Sequence, residues 1–202
     1  YYNSAYLIAP SGESTYRYDK NHLVPFGEYL PMRSLLGKFA RPLVREVSGF
    51  TAGREMVTGS IGEIRFGTLI CYEGIFPELS REWVAQGALF LINITNDAWF
   101  GETAAAMQHL HMTALRAVEN RRALVRAANT GYTALVTPLG RIRNRTNLFT
   151  EEVVVVDVPY SDYRTFYSYA GDWTAVVYII VTFVIAARGG IGRWKEKEKR
   201  LD

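Results

Sequence analysis

Apolar and polar positions along the chain follow runs that predict strands separated by helices. Two strands are predicted at residues 1–8 and towards Tyr18, joined by a Pro-Ser-Gly turn. Two largely apolar runs predict buried strands at residues 63–70 and 88–95. Between these runs, "PELSREWVAQG" has a proline at the first helical position and a glycine just past the end, which is typical of a helix. Strand, helix and strand in this order predict a right-handed crossover between two parallel strands.

The second half of the chain continues the alternation. "ETAAAMQHLHMTALRAVENRR" predicts a helix whose apolar face comprises Met107, Leu110, Ala114, Leu115 and Val118. "ALVRAAN", "YTALVTP" and "EEVVVVDVP" predict three more strands, separated by the turns "TG" and "LGR". The alternation of strands and helices predicts the α/β class.

Residues 30–50 carry leucines, valines and phenylalanine at helical spacing, with arginine and lysine between them. Gly37 and Pro42 weaken any single continuous helix. Two interpretations stay open. The segment is either an amphipathic piece packed on its own domain, or a basic lid that contacts a membrane surface or gates a site.

The C-terminal part of the chain differs in composition. Trp173 to Ala187 contains no charge, but its 15 residues fall short of the roughly 20 that a membrane span needs. Extension to Trp194 gives 22 residues with a tryptophan at each end, followed by a tail rich in lysine and arginine. This pattern predicts a membrane-spanning helix with a cytoplasmic tail. The alternative is a buried core helix.

Composition limits the other possibilities. Hydrophobic residues make up 49% of the 202 residues, enough for the core of one domain. A single cysteine excludes an internal disulfide. The net charge of +3 owes much to the basic tail, so nucleic-acid binding is disfavoured. The chain begins without methionine and without a signal-peptide pattern, from which we expect it to start partway through a longer protein.

The single cysteine, Cys71, directly follows a buried strand and precedes a helix. Open α/β sheets place their sites at such strand ends, and a nearby helix N-terminus lowers the pKa of a thiol. The alternative is that Cys71 is only a small buried hydrophobic residue with no catalytic role. Upstream, "YDKNHLVPFGEYLP" supplies Lys20, His22 and Glu28, and a lysine can favour a thiolate or hold a developing oxyanion.

"KNHLVPFGE", "ICYE", "NDAWFG" and "QHLHM", in this order, resemble the nitrilase superfamily, whose members use a Glu-Lys-Cys triad. The spelling of these motifs and the apolar C-terminal helix are most similar to its branch of bacterial inner-membrane enzymes that N-acylate lipoproteins. The resemblance implies a four-layer αββα sandwich, incomplete at the N-terminus, plus one transmembrane helix. It implies a periplasmic nitrilase-like domain at residues 1–165, the membrane helix at 166–194 and a cytoplasmic basic tail at 195–202.

The resemblance also assigns residues. It implies that Cys71 is the nucleophile, Lys20 the triad lysine and Glu28 a second glutamate near the triad. Tyr72 and Glu73 match the pair beside the nucleophile, and the Tyr72 N–H would join Lys20 in stabilising an oxyanion. The expected pocket residues are His22, Asn96, Asp97, Trp99 and Phe100. Nothing before Lys20 matches the triad glutamate, so we expect the general base upstream of Tyr1 and expect the chain alone to be catalytically silent.

The implied reaction moves an acyl chain from a phospholipid through a cysteine thioester to the N-terminal diacylglyceryl-cysteine of an apolipoprotein. It implies no metal and no cofactor. His109 and His111 stand two apart and so do not share a helix face as metal ligands would. Two alternatives stay open. One is a soluble nitrilase-type amidase, and the other is a membrane-tethered nitrilase-like domain without catalysis.

Overall fold

The computed structural model describes residues 1–31 and 49–198 and divides the chain into two compact units, Tyr1–Ser168 and Tyr169–Asp202. The predicted α/β class is confirmed. Along the chain the strands are β1 (Ser4–Ile8), β2 (Ser14–Asp19), β3 (Gly59–Ile61), β4 (Ile64–Ile70), β5 (Phe90–Thr95), β6 (Leu124–Ala128), β7 (Ala134–Val136) and β8 (Ile142–Arg143). The α-helices are α1 (Pro77–Ala85), α2 (Ala104–Asn120), α3 (Phe166–Ala170) and α4 (Trp173–Glu198).

The first unit contains two sheets. Strands β1 and β2 form an antiparallel pair, and β3 to β8 form a six-stranded sheet in chain order. The central strands β4, β5 and β6 are parallel, and the outer pairs are antiparallel. Continuous apolar runs suit strands covered on both faces, which explains why β4 and β5 were predictable as buried strands. The predicted parallel pair is confirmed.

Helix α1 packs on the sheet through Trp83, which is fully buried. Gly67 of β4 provides the space, because a Cβ atom there would lie 2.5 Å from the Trp83 Cβ atom. Pro77 is the first residue of α1, and Gly87, beyond its end, has a φ of +93°. The helix therefore begins and ends where the proline and glycine predicted.

The predicted apolar face of α2 is partly wrong. Leu115 and Val118 are exposed, at 52% and 37% of their surface. The buried face instead includes His109, Thr113 and Asn120 together with Leu110, Ala114 and Ala117. These buried polar groups are hydrogen-bonded. The buried face of α2 is therefore less apolar than the face predicted from the sequence.

The prediction of a strand at "EEVVVVDVP" is also wrong. Residues 151–159 form no strand, and the strand beside β7 is the short β8. The side chains still alternate: Val153 and Val155 are 94% and 90% exposed, whereas Val156 and Val158 pack against a core cluster. An alternating segment becomes a strand only when a neighbouring strand supplies hydrogen bonds, and β8 occupies the edge position beside β7.

Most of the amphipathic segment at residues 30–50 lies outside the described residues, so neither interpretation of it is tested. In the second unit, α4 begins at Trp173 as expected. Its apolar side chains between Trp173 and Ile185 are largely exposed. Within the part of the chain that the structure describes, no helix combines the length and the apolar character needed to cross a membrane.

Candidate active site

Cys71 stands where β4 ends and a short 3₁₀ helix, Cys71–Ile75, begins. Its backbone has a φ of +51°, in the left-handed region that residues with a side chain rarely adopt. Such a conformation costs about 1–3 kcal/mol and persists only where the surroundings hold it. The thiol is half-buried and free of any disulfide. The strained turn therefore presents the cysteine at the carboxyl end of a central parallel strand.

Glu73, two residues later, joins this turn to the loop that follows β2. Its carboxylate is fully buried and accepts hydrogen bonds from the Tyr18 hydroxyl at 2.8 Å and from the N–H groups of Asn21 and His22 at 2.8 and 3.0 Å. Its other oxygen accepts from the Ile70 N–H at 2.8 Å. Burial raises the pKa of Glu73, although these hydrogen bonds oppose the rise. Glu73 thus holds the segment after Lys20 against the strand end that carries Cys71.

Lys20 and Glu28 form a buried ion pair. The Lys20 Nζ lies 2.8 Å from a Glu28 oxygen, with the lysine side chain fully buried and the glutamate 15% exposed. Glu28 also accepts from the Val24 N–H at 2.8 Å and from the Asn3 amide at 2.9 Å. Burial alone would raise the pKa of Glu28, but the bonds from Lys20, Val24 and Asn3 outweigh it and lower the pKa. Glu28 is therefore held as a carboxylate beside an ammonium group.

A cavity of about 330 Å³ brings several predicted site residues together. Glu28, Cys71, Asn96 and Trp99 all line it. The remaining lining residues are Asn3, Ile70, Ile94 and Thr95. Trp99 is 88% exposed, so its indole stands at the open side of the cavity. The thiol thus shares a cavity with the carboxylate that binds Lys20.

The other predicted pocket residues lie elsewhere. His22 lines a second cavity of about 360 Å³, and its ring packs 4.1 Å from that of Phe76, which also contacts Tyr72. Phe100 packs edge-on against His109, 5.7 Å between ring centres. Asp97 is not among the described residues that line the Cys71 cavity, because its carboxylate is buried in a separate network.

That network consists of buried polar groups. Only Asp97 among them was predicted from the sequence as a site residue. The Arg126 guanidinium donates to Asp97 at 2.6 Å and to the side-chain oxygen of Asn93. His109 lies 3.0 Å from Asp97, and Thr113 lies 3.4 Å from Arg126. Burial lowers the pKa of Arg126 despite the Asp97 charge. The available signal was an asparagine and an arginine inside otherwise apolar strands, "FLINIT" and "LVRAA".

Replacement of Asp97 by asparagine should destabilise the protein strongly. Breaking a buried pair by removing one partner costs about 3–5 kcal/mol, because the Arg126 charge stays buried. Burial would raise the pKa of Asp97, but the bond from His109 and the Arg126 charge lower it below 3.8. The stabilisation is therefore present above about pH 3.8 and is lost as the pH falls through the lower folded pKa. Urea unfolding of wild type and Asp97→Asn at several pH values measures this difference.

The matched control is Asp19→Asn. Asp19 pairs with Arg17 at 2.9 Å, but both side chains are partly exposed, at 24% and 48%. An exposed pair contributes about 0–1 kcal/mol, so the control should lose little stability. Equal losses in the two variants, or a loss in Asp97→Asn that does not shrink in acid, would contradict the account of the buried pair.

Within residues 1–31 and 49–198, no three His, Cys, Asp or Glu side chains come close enough to bind a metal ion together. The described site offers the free thiol of Cys71, the ammonium group of Lys20 and the carboxylate of Glu28. A thiol nucleophile of this kind forms covalent acyl intermediates when a base takes its proton.

Sequence comparison identifies a family. Residues 1–167 match the family model described as carbon-nitrogen hydrolase. The chain is 48% identical over 191 residues to an apolipoprotein N-acyltransferase of Geobacter metallireducens, and 42% identical over 193 residues to one of Brucella suis. These matches cover 93% and 94% of this chain but only 36% of each relative. The chain thus spans about a third of the length of these relatives.

Structure comparison points to the same fold. A member of branch 10 of the nitrilase superfamily from Saccharomyces cerevisiae matches with a TM-score of 0.56 and 22% identity, over 74% of this chain and 51% of that one. An amidase from Nesterenkonia sp. matches with a TM-score of 0.52 and 25% identity, over 72% and 51%. The fold is therefore the α/β fold of nitrilases.

Proposed function

The chain belongs to the carbon-nitrogen hydrolase family, and we propose from this premise that it is the nucleophile-bearing part of an apolipoprotein N-acyltransferase. The observation that carries the proposal is the placement of Cys71, whose strained turn shares a cavity with the Glu28 carboxylate bound to buried Lys20. The relatives named apolipoprotein N-acyltransferase match almost the whole chain, which supports this choice within the family.

In the first half-reaction, the Cys71 sulfur attacks the carbonyl carbon of an acyl ester of a phospholipid. A C–S bond forms, the ester C–O bond breaks, and the thiol proton passes through a general base to the departing alcohol. The products are a thioester on Cys71 and a lysophospholipid. The base is the triad glutamate that the family resemblance places upstream of Lys20.

In the second half-reaction, the free α-amine of a diacylglyceryl-cysteine attacks the thioester. A C–N bond forms, the C–S bond breaks, and the amine proton returns to the cysteine through the base. An amide is more stable than a thioester, so the transfer proceeds without ATP or any other cofactor. The acceptor is the N-terminus of an apolipoprotein, the substrate named by the relatives.

The described side chains take distinct parts in this scheme. The Lys20 ammonium and the backbone N–H of Tyr72 stabilise the negative oxygen of each tetrahedral intermediate. Glu28 binds Lys20 at 2.8 Å and fixes the position of its charge. Glu73 positions the segment after Lys20 relative to Cys71 through its four hydrogen bonds.

Asn96 and Trp99 line the cavity and are proposed to contact the substrate. Trp99 presents an exposed indole at the cavity opening, and large aromatic side chains contact acyl chains and lipid interfaces well. His22, Asp97 and Phe100 act at a distance from the thiol, since they support neighbouring loops and the buried network.

We also propose that the protein acts at the bacterial inner membrane with this domain in the periplasm. The span predicted at residues 166–194 stays a prediction, based on the uncharged stretch from Trp173 to Ala187 and on the tryptophans at positions 173 and 194. A cytoplasmic C-terminal tail is the expected result in a fusion experiment. A C-terminal alkaline phosphatase fusion that is active, and therefore periplasmic, would contradict this orientation.

The proposed function is tested with the full-length protein in detergent. A phospholipid with a labelled acyl chain and a synthetic diacylglyceryl lipopeptide should yield N-acylated lipopeptide, with a labelled thioester on Cys71 when the lipopeptide is withheld. A protein that forms no thioester and no N-acyl product would contradict the proposal.

A second candidate is an amidase. A mutant of the similar amidase from Nesterenkonia sp. shows covalent addition of the acetamide moiety of fluoroacetamide at its active-site cysteine. Release of ammonia from short amides, without acyl transfer to the lipopeptide, would favour this candidate. A third possibility, a domain without catalysis, predicts neither product.

A further inference from the structure

A row of side chains crosses three neighbouring parallel strands beside the nucleophile. The strand register pairs Leu69 of β4 with Asn93 of β5, and Asn93 with Arg126 of β6. Paired residues of neighbouring strands point to the same face of a sheet. Asn93 and Arg126 are both fully buried. The register therefore places the Asn93 amide, and beyond it the Arg126 guanidinium, beside the C-terminal end of β4.

Asn93 binds the backbone at the turn that carries the thiol. Its Nδ2 donates to the carbonyl oxygen of Leu69 at 3.0 Å and to that of Cys71 at 3.4 Å. Gly74 leaves the space for this, because a Cβ there would lie 3.2 Å from the Asn93 Nδ2 and 2.8 Å from the Thr113 hydroxyl. The Asn93 amide thus links the backbone of Leu69, at the end of β4, to the backbone of Cys71.

Arg126 fixes the orientation of this amide. It donates to the side-chain oxygen of Asn93, so the Asn93 Nδ2 must face the turn, and it donates to Asp97 at 2.6 Å. Gly131 makes room for Asp97, since a Cβ there would lie 2.3 Å from the Asp97 carboxylate. None of Asn93, Asp97 and Arg126 is among the described residues that line the Cys71 cavity.

We propose that Asn93 is a positioning residue that holds Cys71 in its left-handed conformation, with Arg126 and Asp97 orienting its amide. The conformation costs free energy by itself and therefore needs contacts that select it. It directs the thiol to the cavity and sets the Tyr72 N–H where the oxyanion forms. The inference rests on the proposed role of Cys71 as the acylated nucleophile.

The test uses Asn93→Asp in the full-length protein. Aspartate keeps the size of asparagine and the acceptor for Arg126, but it sets an oxygen against the two carbonyl oxygens. The maximal rate of Cys71 acylation by p-nitrophenyl butyrate should fall about 100-fold, the effect expected of a misplacement near 1 Å. The half-saturating ester concentration should change less than about 2-fold, because remote substrate contacts are untouched.

Alkylation by iodoacetamide separates positioning from general damage. This reaction needs a thiol but no oxyanion donor, so its rate in Asn93→Asp should stay within about 3-fold of wild type. A merely structural defect would instead change alkylation as much as acylation. If Asn93→Asp does not fold, Asn93→Ala removes the donor without adding a charge and should show the same selective loss.

Asn120→Asp is the matched control. Asn120 is also fully buried and donates its Nδ2 to a carbonyl, that of Arg116 at 3.1 Å, but within α2. It should acylate like wild type. Unchanged acylation in both Asn93 variants, or an equal loss in Asn120→Asp, would overturn the inference.

The same assays distinguish this inference from the proposed function. A wild-type protein that is acylated by the ester but never N-acylates the lipopeptide contradicts the acyltransferase assignment, whereas the comparison of the Asn93 and Asn120 variants still decides the positioning role. A wild-type protein that is never acylated at Cys71 overturns both.

Discussion

The variant Cys71→Ala should lose at least about 10⁴-fold in the rate of lipopeptide N-acylation. Without the sulfur no thioester forms, and what remains is direct attack of the amine on a bound ester. Removal of a catalytic nucleophile in other acyl-transfer enzymes costs up to about 10⁶-fold, which sets the scale. The measurement is single-turnover transfer of a labelled acyl chain by the full-length protein. Transfer at the wild-type rate by a folded Cys71→Ala variant would contradict the nucleophile assignment.

Folding of this variant has its own control. Alanine keeps the strain of the left-handed backbone at position 71, whereas glycine relieves it. Cys71→Gly should therefore be more stable than Cys71→Ala, with a free energy of unfolding higher by about 1 kcal/mol. Neither variant should transfer acyl chains. Lower stability of the glycine variant would show that the turn is not strained.

The second large effect is expected at Lys20. Lys20→Met removes the ammonium that faces Glu28 and that is proposed to stabilise the oxyanion, and a lost oxyanion donor costs about 10²–10³-fold in kcat. Lys20→Arg should also be nearly inactive. A planar guanidinium cannot replace a compact ammonium group in a fully buried position. Steady-state acyl transfer by the full-length variants measures both effects.

The matched control is Arg17→Met. Arg17 lies on β2, the strand that ends one residue before Lys20, and its pair with Asp19 at 2.9 Å is partly exposed. Its loss should leave kcat within about 2-fold and stability within about 1 kcal/mol. Wild-type rates in Lys20→Arg would show that Lys20 serves only the packing of its loop.

Local patterns explain which parts of the fold were predictable. Helix α1 begins at a proline and ends before a glycine because those residues restrict the backbone within a few positions. Strands β4 and β5 follow from continuous apolar runs. Cys71 stood out for the same local reason, as the one thiol directly after a buried run. Lys20 and Glu28 were recognised only through their motif.

Pairing between distant segments explains what was missed or mispredicted. Residues 151–159 have the alternation of a strand, but the six-stranded sheet has β8 at its edge beside β7. Leu115 and Val118 are apolar and yet exposed, because the face of α2 that carries His109 and Thr113 meets the buried polar network. Periodicity records how apolar each face is, and not which partner a face meets.

The sequence by itself determined the α/β class, the parallel pair of β4 and β5 and the position of the thiol at a strand end, since each depends on residues close together in the chain. Only the tertiary structure decided that Lys20 pairs with Glu28 beside the Cys71 cavity, and that Asn93, Arg126 and Asp97 lie together behind the nucleophile. Strand register and side-chain burial set these contacts. A shift of one residue in the register would turn Asn93 to the opposite face of the sheet, and no local pattern specifies that choice.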